Sequence, residues 1–250
     1  MTNLQVQEIP FPQEPLWKET LQIISKTGSA ASLKDAKVIE KMLHFNSQET
    51  RKRYGNAIAT RFERLDSQVL DGLIDLAHTK IPVTTLENIW RILFCIAEPL
   101  VAQVYLDMIW PREPGSDMQR NEIRSYTESA FPQQSEKLYE RLMTCLKNAG
   151  YLMPQGKQQL IIVGFANLEE SLILSTHLLL AQLQRTIKIS AIEANNYWKF
   201  LGYRKFDHVR IGFRSAEAKG LIMRYAIADH LEQITTRYSW KDLLSRIHER

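Results

Sequence analysis

Cysteine is nearly missing from this sequence, and the two that occur, Cys95 and Cys145, each lie in an apolar helical pattern with no partner at metal-ligand spacing. That excludes a disulfide framework and leaves buried free thiols in a reducing cytoplasm as the expectation. The six histidines, at positions 44, 78, 177, 208, 230 and 248, include no His-x-x-x-His pair and no Cys/His ligand set. His177, among Leu174, Leu178 and Leu179, reads as a core or partner-facing residue. The Gly-x-x-x-x-Gly-Lys-Ser/Thr loop, the Gly-x-Gly-x-x-Gly turn and the Gly-x-Ser-x-Gly elbow do not occur either. Nucleotide hydrolysis, dinucleotide binding and hydrolase chemistry thus lack their usual supports, and the expectation is a protein that is not an enzyme and needs no cofactor or metal.

Long uncharged apolar runs are absent too. The most apolar window, residues 89–110, contains Arg91, Glu98, Pro99, Gln103 and Asp107, and each charge near a bilayer centre costs roughly 2.5–3.5 kcal/mol. It reads as a buried core hairpin, and no membrane partner is expected. The first ten residues carry no basic region followed by an apolar run, so no secretory signal is expected and the location is cytoplasmic.

What remains is ordinary globular composition, 44% hydrophobic and 24% charged, which excludes disorder and fibrous classes. A chain of 250 residues can build two modest cores. Net charge is +4, an excess too small to identify a nucleic-acid partner by itself, so its distribution decides. Residues 47–65 organise that reading. At 3.6 residues per turn, Tyr54, Ile58, Phe62 and Leu65 share one side of a helix; Arg53, Arg61 and Arg64 run beside the stripe, and Lys52 points away.

Along the chain, residues 1–15 carry Pro10, Pro12 and Pro15 and read as an extended arm. Residues 16–112 are predicted to form an N-terminal helical bundle, with helices near 16–25, 31–45, 47–65 and 66–77. Another starts at Thr84 or Thr85, is broken by Pro99 and continues to a stop at Pro111. The segment 110–117, with two prolines and a glycine, marks an interdomain boundary or a surface loop. Residues 117–250 are predicted as an α+β domain. A short helix at 121–130 precedes one at 135–149 with Leu138, Leu142, Cys145 and Leu146 inward, ended by Gly150. Tyr151-Leu152-Met153, the turn Pro154-Gln155-Gly156-Lys157 and the apolar run 160–163 follow. Helix, strand, turn, strand is how a winged-helix module writes its last helix and wing. Beyond lie helix 168–184, a short strand or linker at 187–189, helix 191–201, a helix (or strand then helix) at 205–218, a strand from 220, and a final helix capped by Ser239. No internal repeat is visible. The fold class is mainly α: an N-terminal helical bundle followed by a winged-helix-like C-terminal domain with small β-hairpins.

The run Ala31-Ser-Leu-Lys-Asp-Ala-Lys-Val-Ile-Glu-Lys-Met-Leu, leading into Thr50-Arg-Lys-Arg-Tyr and Ala59-Thr-Arg-Phe-Glu-Arg-Leu, resembles the N-terminal half of the BrxA family of bacteriophage-exclusion (BREX) defence systems. Residues 142–152, ending Leu-Lys-Asn-Ala-Gly-Tyr-Leu, are similar to its second helical signature. Tyr197-Trp-Lys-Phe-Leu-Gly-Tyr and Tyr238-Ser-Trp-Lys-Asp-Leu-Leu are similar to its C-terminal pattern. Phe45-Asn46 replaces the longer insert usual in that family. The resemblance implies a mostly helical, non-catalytic DNA-binding protein that works beside a methyltransferase, an ATPase and other defence proteins. It supplies no catalytic residues.

Binding residues come from charge and periodicity. Between residues 48 and 64 five basic side chains face two acidic ones. Arg51, Lys52, Arg53, Arg61 and Arg64 are therefore candidate phosphate contacts for double-stranded DNA, together with Lys137, Arg141 and Lys147; Lys34, Lys37 and Lys41 form a lesser stripe. Such faces release counterions on binding and carry little sequence preference. The alternative is a scaffold whose basic faces dock acidic partner subunits. Arg204, Lys205, Arg210, Arg214, Lys219 and Arg224 interleave with Tyr203, Phe206, Phe213 and Tyr225, a mixture suited to gripping a backbone and stacking on bases, though core aromatics with exposed charges are the commoner explanation. Asp207 followed by Glu217-Ala218-Lys219 echoes the Asp...Glu-x-Lys set of Mg²⁺-dependent nucleases, provided the acids lie on adjoining strands.

Overall fold

A computed structural model describes residues 15–132, 135–166, 168–181, 185–228 and 231–248, so the expected arm lies outside the described residues apart from Pro15. Helices α1 (Trp17–Lys26), α2 (Ala30–Lys34), α3 (Ala36–Met42), α4 (Gln48–Glu63), α5 (Ser67–His78) and α6 (Val83–Ala97) come first. Next are α7 (Pro99–Val104), which runs on as a π turn (Tyr105–Ile109), strand β1 (Asp117–Gln119), α8 (Arg120–Ala130), α9 (Ser135–Asn148), β2 (Leu152–Gln155) and β3 (Gln159–Ile162). The rest comprises α10 (Leu168–Thr176) with a π turn (His177–Ala181), β4 (Thr186–Lys188), α11 (Ile189–Ala194), α12 (Tyr197–Phe200), α13 (Phe206–Ala218), β5 (Arg224–Ala228), β6 (Leu231–Thr235) and α14 (Trp240–His248). The protein is mainly helical, with two small three-stranded antiparallel sheets ordered β1-β3-β2 and β4-β6-β5. Among the described residues no single helix is long and apolar enough to cross a membrane.

Two compact units result, and they do not part at 110–117. One is built on Glu98–Gly164 with the described residues up to Trp17; the other joins Lys18–Ala97 to Phe165–Arg250. The reason lies in α6 and α10. Ser171 through Thr176 of α10 are all buried, so this helix needs cover on every side. α6 supplies part of it through a buried polar link: Asn88 Nδ2 donates to Ser171 Oγ at 3.0 Å and to the Ala166 carbonyl at 2.8 Å, and Arg91 donates to Asn88 Oδ1 at 2.7 Å. Arg91 also lies 4.1 Å from the Phe165 ring centroid.

Other boundaries differ locally for readable reasons. The helix expected over 31–45 is split at Asp35, which closes α2 with extended dihedrals and caps α3 by accepting from the Lys37 and Val38 amides. α6 starts at Val83, directly after Pro82, rather than at a threonine cap. In the chain order expected, Ser47 caps α4 by accepting from the Thr50 amide. Gly55 lets α3 approach α4 closely, since a Cβ there would sit 3.0 Å from the Ala36 carbonyl oxygen.

His177 is buried beneath Trp240, ring centroids 5.7 Å apart, with Nε2 bonded to the Tyr238 carbonyl at 3.0 Å. Burial pushes its pKa below the usual 6.5, against the opposing pull of that hydrogen bond. The unfolded chain therefore takes up a proton that the folded chain refuses. Stability is complete above about pH 6.5 and falls as the pH drops below it, by at most about 1.4 kcal/mol per pH unit. Melting temperatures across this range are expected to show the decline in the native protein and a shallower one in His177→Gln.

Candidate nucleic-acid interface

In the smaller unit, α9 turns Leu138, Leu142, Cys145 and Leu146 into the core, and Ile123 of α8, Met118 of β1 and Leu160 and Ile162 of β3 are buried as well. The helix stops where expected. Gly150 takes φ +76°, its amide donates to the Lys147 carbonyl at 2.9 Å, and the Tyr151 amide reaches back to Leu146 at 3.0 Å. This fixes which face looks outward: Glu136, Lys137, Glu140, Arg141 and Asn148 are exposed, with Thr144 and Lys147 half-buried among them. Glu136 is already neutralised by Arg124 of α8 at 3.1 Å. What the face offers is Lys137 and Arg141 one turn apart, Lys147 roughly 15 Å from Lys137 along the axis, and the polar side chains of Glu140, Thr144 and Asn148.

The β2–β3 hairpin adds a cation beyond those that charge and periodicity singled out. Gln155 pairs with Gln159 in the register, which leaves Gly156, Lys157 and Gln158 as the exposed turn, with Gly156 at φ +74°. Lys157 has no ion pair among the described residues. Its signal was present in the Pro-Gln-Gly-Lys turn, which places a lysine at the tip of the hairpin.

In the larger unit the five basic candidates of α4 separate. Arg61 is 1% exposed and lies 4.9 Å from the Phe94 ring centroid, beside the Phe62–Trp90 contact that packs α4 on α6. It is an interior residue and cannot meet phosphate. Its guanidinium stacks on an aromatic face and its alkyl stem packs, which is how an arginine next to an apolar stripe is drawn inward. Arg64 donates to the Ala97 carbonyl at 2.6 Å, so it caps the C-terminus of α6. Arg51 is folded back onto the Phe45 and Asn46 carbonyls. Lys52 and Arg53 alone of the five stay exposed and clear of such backbone caps, Arg53 resting 4.7 Å over the Tyr54 ring. Arg64→Ala is expected to cost about 0.5–1 kcal/mol in denaturant unfolding while leaving duplex binding unchanged.

The lysine stripe is partly engaged, since Lys34 donates to Ser67 Oγ at 2.9 Å, while Lys37 and Lys41 are exposed. The C-terminal basic set is more heavily used. Arg210 is held by Glu232 at 2.8 Å, Asp207 at 2.9 Å and Glu193 at 3.7 Å, and these carboxylates raise its pKa further. Lys219 pairs with Glu169 at 2.6 Å, and Arg214 sits 5.2 Å over Tyr225. Tyr203, Phe206 and Phe213 are buried, which removes them as base-stacking platforms. The nuclease pattern does not assemble. Asp207 and Glu217 lie on one helix, α13, roughly 15 Å apart along its axis, and Asp207 and Lys219 are committed to Arg210 and Glu169. Among the described residues no three His, Cys, Asp or Glu side chains converge as a metal site.

No protein-family model, curated protein or solved structure matches the chain.

Proposed function

We propose that the protein is a non-catalytic component of a bacterial phage-defence system of BREX type that binds double-stranded DNA through the smaller unit. The observation that carries this reading is the outer face of α9, with Lys137, Arg141 and Lys147, followed by a hairpin turn bearing Lys157. Support for a winged helix comes from element order: helix, strand, helix, helix, strand, strand over residues 99–162, with β1 pairing to β3 and β3 to β2. α8 and α9 then serve as the helix-turn-helix pair, α9 lies in the major groove, and the hairpin touches the backbone. Its cations neutralise phosphates, while Thr144, Asn148 and Glu140 face the base edges and add modest preference.

Membership of the BrxA family rests on the helix signatures at 31–65, 142–152 and 197–244 and brings with it a cytoplasmic location and work beside a methyltransferase and an ATPase. Retardation of an arbitrary duplex at low salt is the expected result of a gel-shift titration. Absence of retardation for every duplex tried contradicts the proposal.

A further inference from the structure

The edge of a β-sheet presents a row of backbone N–H and C=O groups that another strand can complete. Four strands hold edge positions among the described residues, because the sheets run β1-β3-β2 and β4-β6-β5. Three of them are guarded. β1 is three residues long and carries Asp117, β4 is equally short and carries the exposed Lys188, and β2 contains Pro154, which has no N–H to give.

The interior of β5 has none of these guards. Its five residues, Arg224-Tyr-Ala-Ile-Ala, include no proline and pair one for one with Leu231–Thr235, so no bulge twists the edge away. Its one charge, Arg224, stands at the end. Alternation puts Tyr225 and Ile227 on one face of the sheet and Arg224 and Ala226 on the other. The first face is the one toward α13, since Arg214 lies 5.2 Å over the Tyr225 ring and Arg210 bonds Glu232, the residue opposite Ile227. α13 leaves the edge strand itself uncovered: Ile227 is 60% exposed and Met223, just before the strand, 62%.

The order of residues in β5 selects the occupant. Turned about its middle residue, Ala226, the strand meets a second copy of itself antiparallel with all five residues paired: alanine opposite alanine at the axis, Tyr225 opposite Ile227 on either side, and Arg224 opposite Ala228 at the ends. An aromatic ring facing a β-branched side chain is a favoured cross-strand pair, and it occurs twice. The two Arg224 positions fall about 14 Å apart along the ladder, so no like charges meet. Pairing of β5 with β4 of another copy would set three residues against five and run on head to tail without closing. A DNA duplex offers no strand to complete the ladder.

We infer that two copies of the chain pair β5 against β5 about a two-fold axis at Ala226, joining their three-stranded sheets into one of six strands. A contact built on five residues a side belongs to the small, weak class of interfaces, so the dimer forms in a concentration-dependent way.

This inference goes beyond DNA binding by α9 and is tested without DNA, so either can fail alone. Sedimentation of the full-length protein from about 1 µM to 1 mM should show a monomer passing into a dimer. Ile227→Lys, which places on the edge the guard that β4 already has, should raise the dissociation constant at least about tenfold, with melting temperature unchanged at low concentration. Ala226→Cys should form a disulfide-linked dimer under mild oxidation, because directly opposed residues of an antiparallel pair lie within disulfide reach, while Lys188→Cys on the other edge should not. Cys95 and Cys145 are buried and leave the new thiol as the reactive one. A monomer at every concentration, a dimer that Ile227→Lys does not weaken, or Ala226→Cys cross-linking no better than Lys188→Cys overturns the inference. Masses that grow beyond two copies mark head-to-tail pairing and overturn it as well.

Discussion

Reversing Lys137, Arg141 and Lys147 together to Glu should weaken duplex binding by at least about 100-fold at roughly 0.1 M salt. The counterion-release part of the affinity scales as the inverse salt concentration raised to about 0.9 per neutralised phosphate, so giving up three phosphates at that concentration is worth roughly 500-fold before any repulsion from the new carboxylates. Stability should hardly change, because these side chains project from the outer face of α9 while Leu138, Leu142, Cys145 and Leu146 carry the packing. Fluorescence anisotropy of a labelled duplex, read beside thermal melting, separates weakened binding from unfolding. Undiminished binding by the triple variant would move the interface away from α9.

The second large effect is on stability and falls on Arg61. Arg61→Glu places a carboxylate where a buried guanidinium stacks on Phe94, with 1% of the residue exposed. Reversing a buried charge in this way should cost about 3–5 kcal/mol, or a fall of roughly 6–20 °C in melting temperature for a chain of this size. Lys52→Glu, about two and a half turns away and exposed, should stay within about 0.5 kcal/mol of the native protein. A melting temperature unchanged in Arg61→Glu would contradict the interior placement. Any loss of DNA binding in that variant follows from unfolding and does not mark a phosphate-binding residue.

The contrast between these two sites indicates what the sequence could convey. The apolar spacing of α9 and Gly150 placed the inner face, the C-cap and the hairpin correctly, because each rests on chemistry within a few residues. The same reasoning put Arg61 closest to the Tyr54/Ile58/Phe62/Leu65 stripe and marked it as the arginine of the set to expect in a structural ion pair, but it could not supply the ring on which the guanidinium lies. That ring is Phe94, a residue on another helix, α6, and so a matter of tertiary packing. Arg64 likewise looks like a surface cation until the carbonyl of Ala97 arrives beside it.

The division of the chain was hidden for a similar reason. The Pro- and Gly-rich stretch at 110–117 looks like a linker, whereas the larger unit is closed by Asn88 and Arg91 reaching to Ser171 and Phe165 far along the chain. Fold periodicity is local and legible; long-range pairing is not.

The most direct test of the central claim is the salt dependence of duplex affinity. If Lys137, Arg141, Lys147 and Lys157 each neutralise a phosphate, a plot of log K against log salt has a slope of about −3.6, and Lys157→Gln makes it shallower by about 0.9 without altering preference among duplexes. A slope near zero, or one that Lys157→Gln leaves untouched, would contradict phosphate binding by α9 and its hairpin.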